Sequence, residues 1–310
     1  MSSLNGMKER NELGQYLKAR RARITPAQAG LMEGTGYRRV PGLRREEVAA
    51  LAGLSADYYA RLEQGRERHP SPSVLKALAR VLQLNPDAQR YLFALASPDA
   101  VGESAGPADR EPGPNLLALL DDWSAHPAIV TDRCMNVVAA NALGAALYDG
   151  HPHRDNLARL LFIDDASRTF FRDWETVAAS TVASLRAAAS HRLGDPELRS
   201  LVGELTLHSE DFTRHWRRAE VREKTSGTLL LRHPLVGDLD LAYETLRPSA
   251  SPDLLVKVYR ARPETSTRDR LAILGSLSAA PRPGERPSGS GRPRSGSEEG
   301  IAEPPSGPLA

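Results

Sequence analysis

Residues 43–65 read LRREEVAALAGLSADYYARLEQG, and their spacing sets the fold of the first third of the chain. Val48, Leu51 and Ala52 share one helical face, and the small Ala49 beside them leaves room for another helix. Gly53 stops this helix, because a sharp turn needs the positive φ that glycine adopts without penalty. Leu54 plugs the core, and the Ser55 hydroxyl is placed to cap a second helix over 56–64. There Tyr59 and Leu62 bury at spacing three, while Ala56, Asp57, Tyr58, Ala60 and Arg61 point outward or sideways. A helix, a tight turn and a second helix result, and the exposed start of the second helix can enter a major groove.

Helical patterns flank this stretch on both sides. Leu13, Tyr16 and Leu17 give the apolar side of a helix over 8–23, which Pro26 and Gly30, Gly34 and Gly36 interrupt. Downstream, Ser73 is expected to cap a helix carrying Leu75, Leu78, Ala79 and Leu82, and Asn85-Pro86 opens another with Tyr91, Leu92 and Leu95. Four to five helices thus complete an all-α domain over 1–96.

The stretch resembles the lambda-repressor/Cro-like (XRE) helix-turn-helix family through EVAALAGLS at 47–55 and YARLEQG at 59–65. The resemblance implies a role for each matching position. Arg45 grips phosphate at the start of the first motif helix. Ser55, Ala56, Asp57, Tyr58 and Arg61 occupy the recognition-helix positions. Arg61 is suited to a bidentate contact with guanine, Asp57 to a cytosine amine, and Tyr58 to a phosphate or a thymine methyl. Arg66 and Arg68, in the following loop GRERHPS, clamp the backbone, as do Arg38 and Arg39 in the insertion 25–43. Glu63 is expected to be structural.

Charge supports the same assignment once the chain is cut at its composition shifts. The formal net charge of the 310 residues is only +2, yet residues 1–96 hold 16 basic and nine acidic side chains, a net of +7. Residues 97–114 carry −3, residues 115–274 carry −2, and residues 275–310 are neutral. The positive excess therefore belongs to the segment with the helix-turn-helix pattern, as a polyanion-binding module requires. The segment 97–114, SPDAVGESAGPADREPGP, lacks apolar periodicity and is expected to be a linker; the proline- and glycine-rich stretch 275–310 is expected to be a disordered tail.

Between them lies a second domain of different texture. Residues 128–131 and 135–140 read as strands joined by a turn at Asp132-Arg133, helical patterns cover 166–189, 196–207 and 209–221, and strands follow over 227–233, 237–245 and 254–259. Asn141 is placed to cap the helix after the second strand, and Trp123 and Trp174 are expected in the core. This α/β pattern resembles the MmyB-like ligand-binding domain. The resemblance rests on HPAIVTDRCMNVVAANALGAALY at 126–148, FTRHWRRAEVREKTSGT at 212–228 and RHPLVGDLDLAYETL at 232–246. It implies a PAS-like fold and a small, largely hydrophobic ligand such as a fatty acid. Trp216, His233 and Tyr243, with apolar bodies and polar tips, are the residues expected to orient it. One departure from the family is Ala140-Asn141, where the family often has Trp-Asn, and it alters the expected pocket shape.

No catalytic signature of a nucleotide-binding glycine loop, an HExxH helix or a GxSxG elbow is present in the sequence, so neither an enzyme nor a cofactor is expected. His151 and His153 beside Asp149 and Asp155 are the nearest approach to a metal cluster and read as a polar turn. The single cysteine, Cys134, excludes an intramolecular disulfide, and no apolar run reaches bilayer length. The expectation is a multidomain cytoplasmic, nucleoid-associated regulator that binds a double-stranded DNA operator as a homodimer, with no membrane involvement. The rival reading keeps DNA binding but makes the C-terminal domain a protein-interaction or dimerisation module without a ligand.

Overall fold

The computed structural model describes residues 11–31, 40–97, 111–190 and 195–279. Arg38, Arg39, most of the expected linker and residues 280–310 lie outside the described residues. Among the described residues, five helices build the first domain: α1 (Glu12–Arg21), α2 (Arg45–Ala52), α3 (Ala56–Glu63), α4 (Pro72–Val81) and α5 (Pro86–Ala96). Gly53 between α2 and α3 has φ 70°, and the Ser55 Oγ accepts from the Tyr58 N–H at 3.1 Å, so the turn and the cap form as the sequence specifies. Tyr59 and Leu62 are fully buried among Leu17, Leu43, Val48, Leu75 and Leu78. Burial of each large side chain contributes about 1.5–3 kcal/mol. The cap of α4 is Ser71 rather than Ser73: Pro72 takes the first helical position, where its missing N–H costs nothing, and the Ser71 Oγ accepts from Val74 at 3.4 Å.

The second domain opens with α6 (Pro114–Asp122) and is organised by one antiparallel sheet. Its strands are β1 (Ala128–Thr131), β2 (Val137–Ala140), β3 (Ser226–His233), β4 (Gly237–Leu246) and β5 (Leu255–Ala261), in the order β2-β1-β5-β4-β3. Strand alternation divides the sheet into two faces. Ala128, Val130 and Val256 face Leu120 of α6, while Ile129, Leu231, Leu239, Leu241, Tyr243 and Tyr259 face the larger core. That core is closed by α7 (Ala142–Leu147), α8 (Leu157–Phe162), α9 (Ser167–Phe170), α10 (Trp174–Ala189), α11 (Pro196–His208) and α12 (Glu210–Arg217). Asn141 caps α7 by accepting from Gly144 at 2.8 Å, and its Nδ2 donates to the carbonyls of Leu120, Trp123 and His126. One buried amide therefore ties α6, β1 and α7 together.

In the second domain, three features depart from the sequence expectation. The helical pattern over 166–189 is two helices, α9 and α10, because Phe171 leaves the helix to bridge Leu231 on β3. The pattern over 209–221 stops at Arg217; Ala219 adopts φ 52° and residues 219–225 form no regular element before β3. Finally α13 (Thr267–Ala279) continues past position 275, where the tail was expected to begin. Leu271 and Leu274 of α13 are buried while Ile273 and Leu277 are exposed, so apolar groups surround the helix and blur its periodicity.

The two domains also pack directly against each other. Ala187 of α10, with Ala219 and Val221, belongs to the same buried cluster as Tyr16 and Tyr91 of the helical domain.

Candidate DNA-binding interface and ligand cavity

The start of α3 is open to solvent. Ser55, Ala56, Asp57 and Arg61 are exposed, and Tyr58 is half-buried beside them. Arg61 lies 3.7 Å from the Asp57 carboxylate, one helical turn away, and 5.8 Å from the centroid of the Tyr58 ring. Such an exposed pair is worth only about 0–1 kcal/mol, so both groups exchange partners at little cost. Arg66 and Arg68 are exposed just after α3, and Arg68 donates to the Gly65 carbonyl at 3.2 Å.

Arg45 is anchored from below. Its Nε donates to Glu63 at 2.7 Å, and Arg21 Nε holds the other carboxylate oxygen at 2.6 Å. Burial alone would disfavour the Glu63 charge, but the two guanidinium groups hold its carboxyl below the usual carboxylate range. Glu63 is therefore structural, and it ties α1, the start of α2 and the end of α3 into one block. The Arg45 bond uses Nε alone, and its side chain remains 41% exposed, so the outer end of the guanidinium stays available at the surface.

The second domain contains a partly open pocket between its sheet and its helices. Leu229, Tyr243, Lys257 and Tyr259 form the sheet side; Leu157 and Leu161 of α8 and Val177 and Thr181 of α10 form the helical side. Met135, Tyr148, Phe171 and Lys224 complete the wall. The Tyr148 and Tyr259 hydroxyls bond each other at 3.0 Å, and burial raises the Tyr148 pKa to about 12. Tyr243 lies across Gly227 on the neighbouring strand; a Cβ there would stand 2.7 Å from its hydroxyl, so a larger residue would displace the ring.

Two cations share these apolar walls. Lys257 is only 8% exposed, and burial lowers its pKa to about 8. Lys224 enters from residues 219–225 with its ammonium 5.4 Å from the Tyr243 ring centroid; burial and the Lys257 charge lower its pKa to about 7. Neither makes a hydrogen bond or ion pair among the described residues.

Of the three residues expected to orient a ligand, only Tyr243 lines this cavity. Trp216 lies instead at the junction of the domains, stacked on Phe212 at 5.5 Å and covered by the Arg186 guanidinium at 4.0 Å. His233 is buried at the end of β3, where Nε2 donates to the Ala146 carbonyl at 3.2 Å and Nδ1 accepts from Leu235. The histidine turn is also committed elsewhere: His151 Nδ1 pairs with Asp164 at 2.6 Å and Asp149 with Arg154. Among the described residues no three histidine, cysteine or acidic groups are arranged to hold a metal ion. None of their helices is long and apolar enough to cross a membrane.

Sequence reasoning missed the two lysines, although a signal was present. The chain carries 36 arginines and only five lysines, and two of those five line the cavity. Lysine is the cation that can lose its proton when buried, whereas arginine stays charged, so a lone lysine in the apolar strand LLVKVY was informative.

Comparison with known families agrees with this division of the molecule. Residues 12–92 match the model of a helix-turn-helix domain, and residues 112–274 match that of the MmyB-like transcription regulator ligand binding domain. No curated protein matches the chain. An exposed helix of a helix-turn-helix on a basic domain, joined to a domain with an apolar pocket, is the arrangement of a DNA-binding transcription regulator with a ligand-binding domain, and the chain belongs to the MmyB-like transcription regulator family.

Proposed function

We propose that this regulator reads a short palindromic operator as an XRE-type homodimer in the cytoplasm, on the nucleoid. Its two recognition helices would be set about 34 Å apart, one helical turn of DNA. Ala56, Asp57 and Arg61 meet base edges, with Tyr58 and Ser55 at the groove wall and Arg45, Arg66 and Arg68 on phosphates. The solvent-open start of α3, on the domain that carries the net positive charge, is the observation that supports this reading. Titrating genomic DNA fragments with the full-length protein at several salt concentrations tests it. One fragment should be selected over bulk DNA, with affinity falling as salt rises; equal affinity for all fragments overturns the reading.

The ligand we assign to the cavity is a largely hydrophobic acid of the fatty-acid type. The carrying observation is an apolar cavity with two lysines and no carboxylate on its wall. An aliphatic tail suits the Leu157, Leu161, Val177 and Leu229 surfaces, and a carboxylate supplies the charge that Lys224 and Lys257 lack. Calorimetric titration with dodecanoate and with dodecan-1-ol separates the two contributions. Dodecanoate should bind at least tenfold tighter at pH 6.5; equal affinities remove the head-group assignment and leave a neutral hydrophobic ligand.

A further inference from the structure

We propose that residues 219–225 couple the cavity to the helix-turn-helix domain, so that an acid held by Lys224 and Lys257 locks that domain against the sensor. The proposal rests on the acid-ligand reading above and adds how occupancy of the cavity reaches the DNA-binding half.

The helical domain holds the segment and the residue before it at several points. Arg23 donates to the Arg218 carbonyl at 3.0 Å and to the Glu220 carboxylate at 2.5 Å. Asn85 Nδ2 donates to the Val221 carbonyl at 3.1 Å, and Asp87 accepts from the Glu223 N–H at 2.8 Å. Ala219 and Val221 are buried in the helical domain's own cluster. The next residue after Glu223 is Lys224, whose side chain lines the cavity. Consecutive Cα atoms stand 3.8 Å apart, so the last grip and the cavity wall have no slack between them.

Helix α10 makes a second connection. Val177 and Thr181 line the cavity, and farther along the same helix Arg186 reaches the domain junction. Arg186 is 7% exposed and donates to the Tyr91 hydroxyl at 3.3 Å and to the Trp216 carbonyl at 2.6 Å.

The sign of the coupling follows from the lysines. With the domains docked, residues 219–225 are held so that both ammonium groups face the same apolar walls, an arrangement that desolvation and mutual repulsion oppose. An anion between them removes that opposition. Undocked, the segment loses Arg23, Asn85 and Asp87 and keeps its bonds to the sensor, Arg222 to Ala183 and Ser184 and Thr225 to Thr245, so the Lys224 side chain gains freedom to turn to water. An acid therefore binds the docked form more tightly, and by linkage it favours docking by the same factor.

The test compares the full chain with Arg23→Ala/Asp87→Ala, which cuts the grip without touching the cavity, with Lys224→Met, and with the triple variant. Calorimetry with dodecanoate at pH 6.5 should show about a tenfold loss of affinity on cutting the grip in the wild-type background. In the Lys224→Met background the same cut should change affinity less than twofold. Equal losses in both backgrounds, or no loss in the wild type, overturn the coupling. Hydrogen exchange gives a ligand-free arm: Lys224→Met alone should slow exchange of the Glu223 amide several-fold, and an unchanged or faster rate also overturns it. If neither dodecanoate nor dodecan-1-ol binds while the exchange response persists, the acid-ligand reading fails by itself and the mechanical link stands.

Discussion

At the base of the helix-turn-helix, the buried carboxylate of Glu63 meets Arg21 at 2.6 Å and Arg45 at 2.7 Å. In the sensor cavity, two lysines share apolar walls and meet no counterion among the described residues. Both regions withdraw charge from water, and the opposite outcomes separate two uses of that charge. A buried charge that organises a fold is closed by partners within the fold, because an unpaired one would cost several kcal/mol. A buried charge left open has no partner within the fold, and its protonation is the variable that gives way.

The comparison is broken most directly at Glu63. Glu63→Ala leaves Arg21 partly buried without its carboxylate, and we expect a loss of about 3–5 kcal/mol in urea unfolding, together with loss of DNA binding. A loss below about 1 kcal/mol would mean that the cluster is ornamental. Lys257→Met should have the opposite sign. Removing an unpaired buried cation should stabilise the ligand-free protein by about 1–3 kcal/mol at pH 6 while erasing the preference for dodecanoate over dodecan-1-ol.

The open charges also predict a pH signature. Both lysines are depressed in the folded chain, to about 7 and about 8, so between those values and about 10 the unfolded chain binds more protons. Ligand-free stability should therefore rise with pH from about 7 towards 10, and acid affinity should fall over the same interval. The cavity's other titratable groups stay neutral there, since Tyr148 and Tyr243 are raised to about 12 and Tyr259 well above its usual value. Thermal unfolding across pH, repeated in Lys257→Met, should show the rise diminished.

The smallest expected effects concern DNA recognition. Arg61→Ala should relax sequence preference by about 1–3 kcal/mol with unfolding unchanged, and Arg45→Ala should weaken binding to all sequences alike. Because Arg45 also closes Glu63, its removal should lower the unfolding midpoint as well. Equal effects of both substitutions on specific and random DNA would erase the distinction.

What was legible in the sequence was local. Gly53, Ser55, Tyr59 and Leu62 act within one turn and one helix, so their spacing carries the helix-turn-helix directly, and Asn141 announces α7 in the same way. The domain junction was not legible, because Arg23 meets Glu220 and Arg186 meets Tyr91 across many intervening residues, and no periodicity encodes such pairs. Trp216 illustrates the cost. Its residue type suits a ligand pocket, yet α12 ends at Arg217 and turns it towards Arg186. Lys257 was half-legible, since strand alternation already set it on the same face as Tyr259.

One property of the junction bears on how such regulators diversify. Along residues 216–223 the helical domain and α10 hold mainly main-chain atoms: the carbonyls of Trp216, Arg218 and Val221 and the N–H of Glu223. Backbone groups are common to nearly every residue type. Under the proposed coupling, position 224 can therefore be rewritten to suit a different ligand while the neighbouring grip survives, so the chemical input of this chain is exchangeable without rebuilding the DNA-reading output.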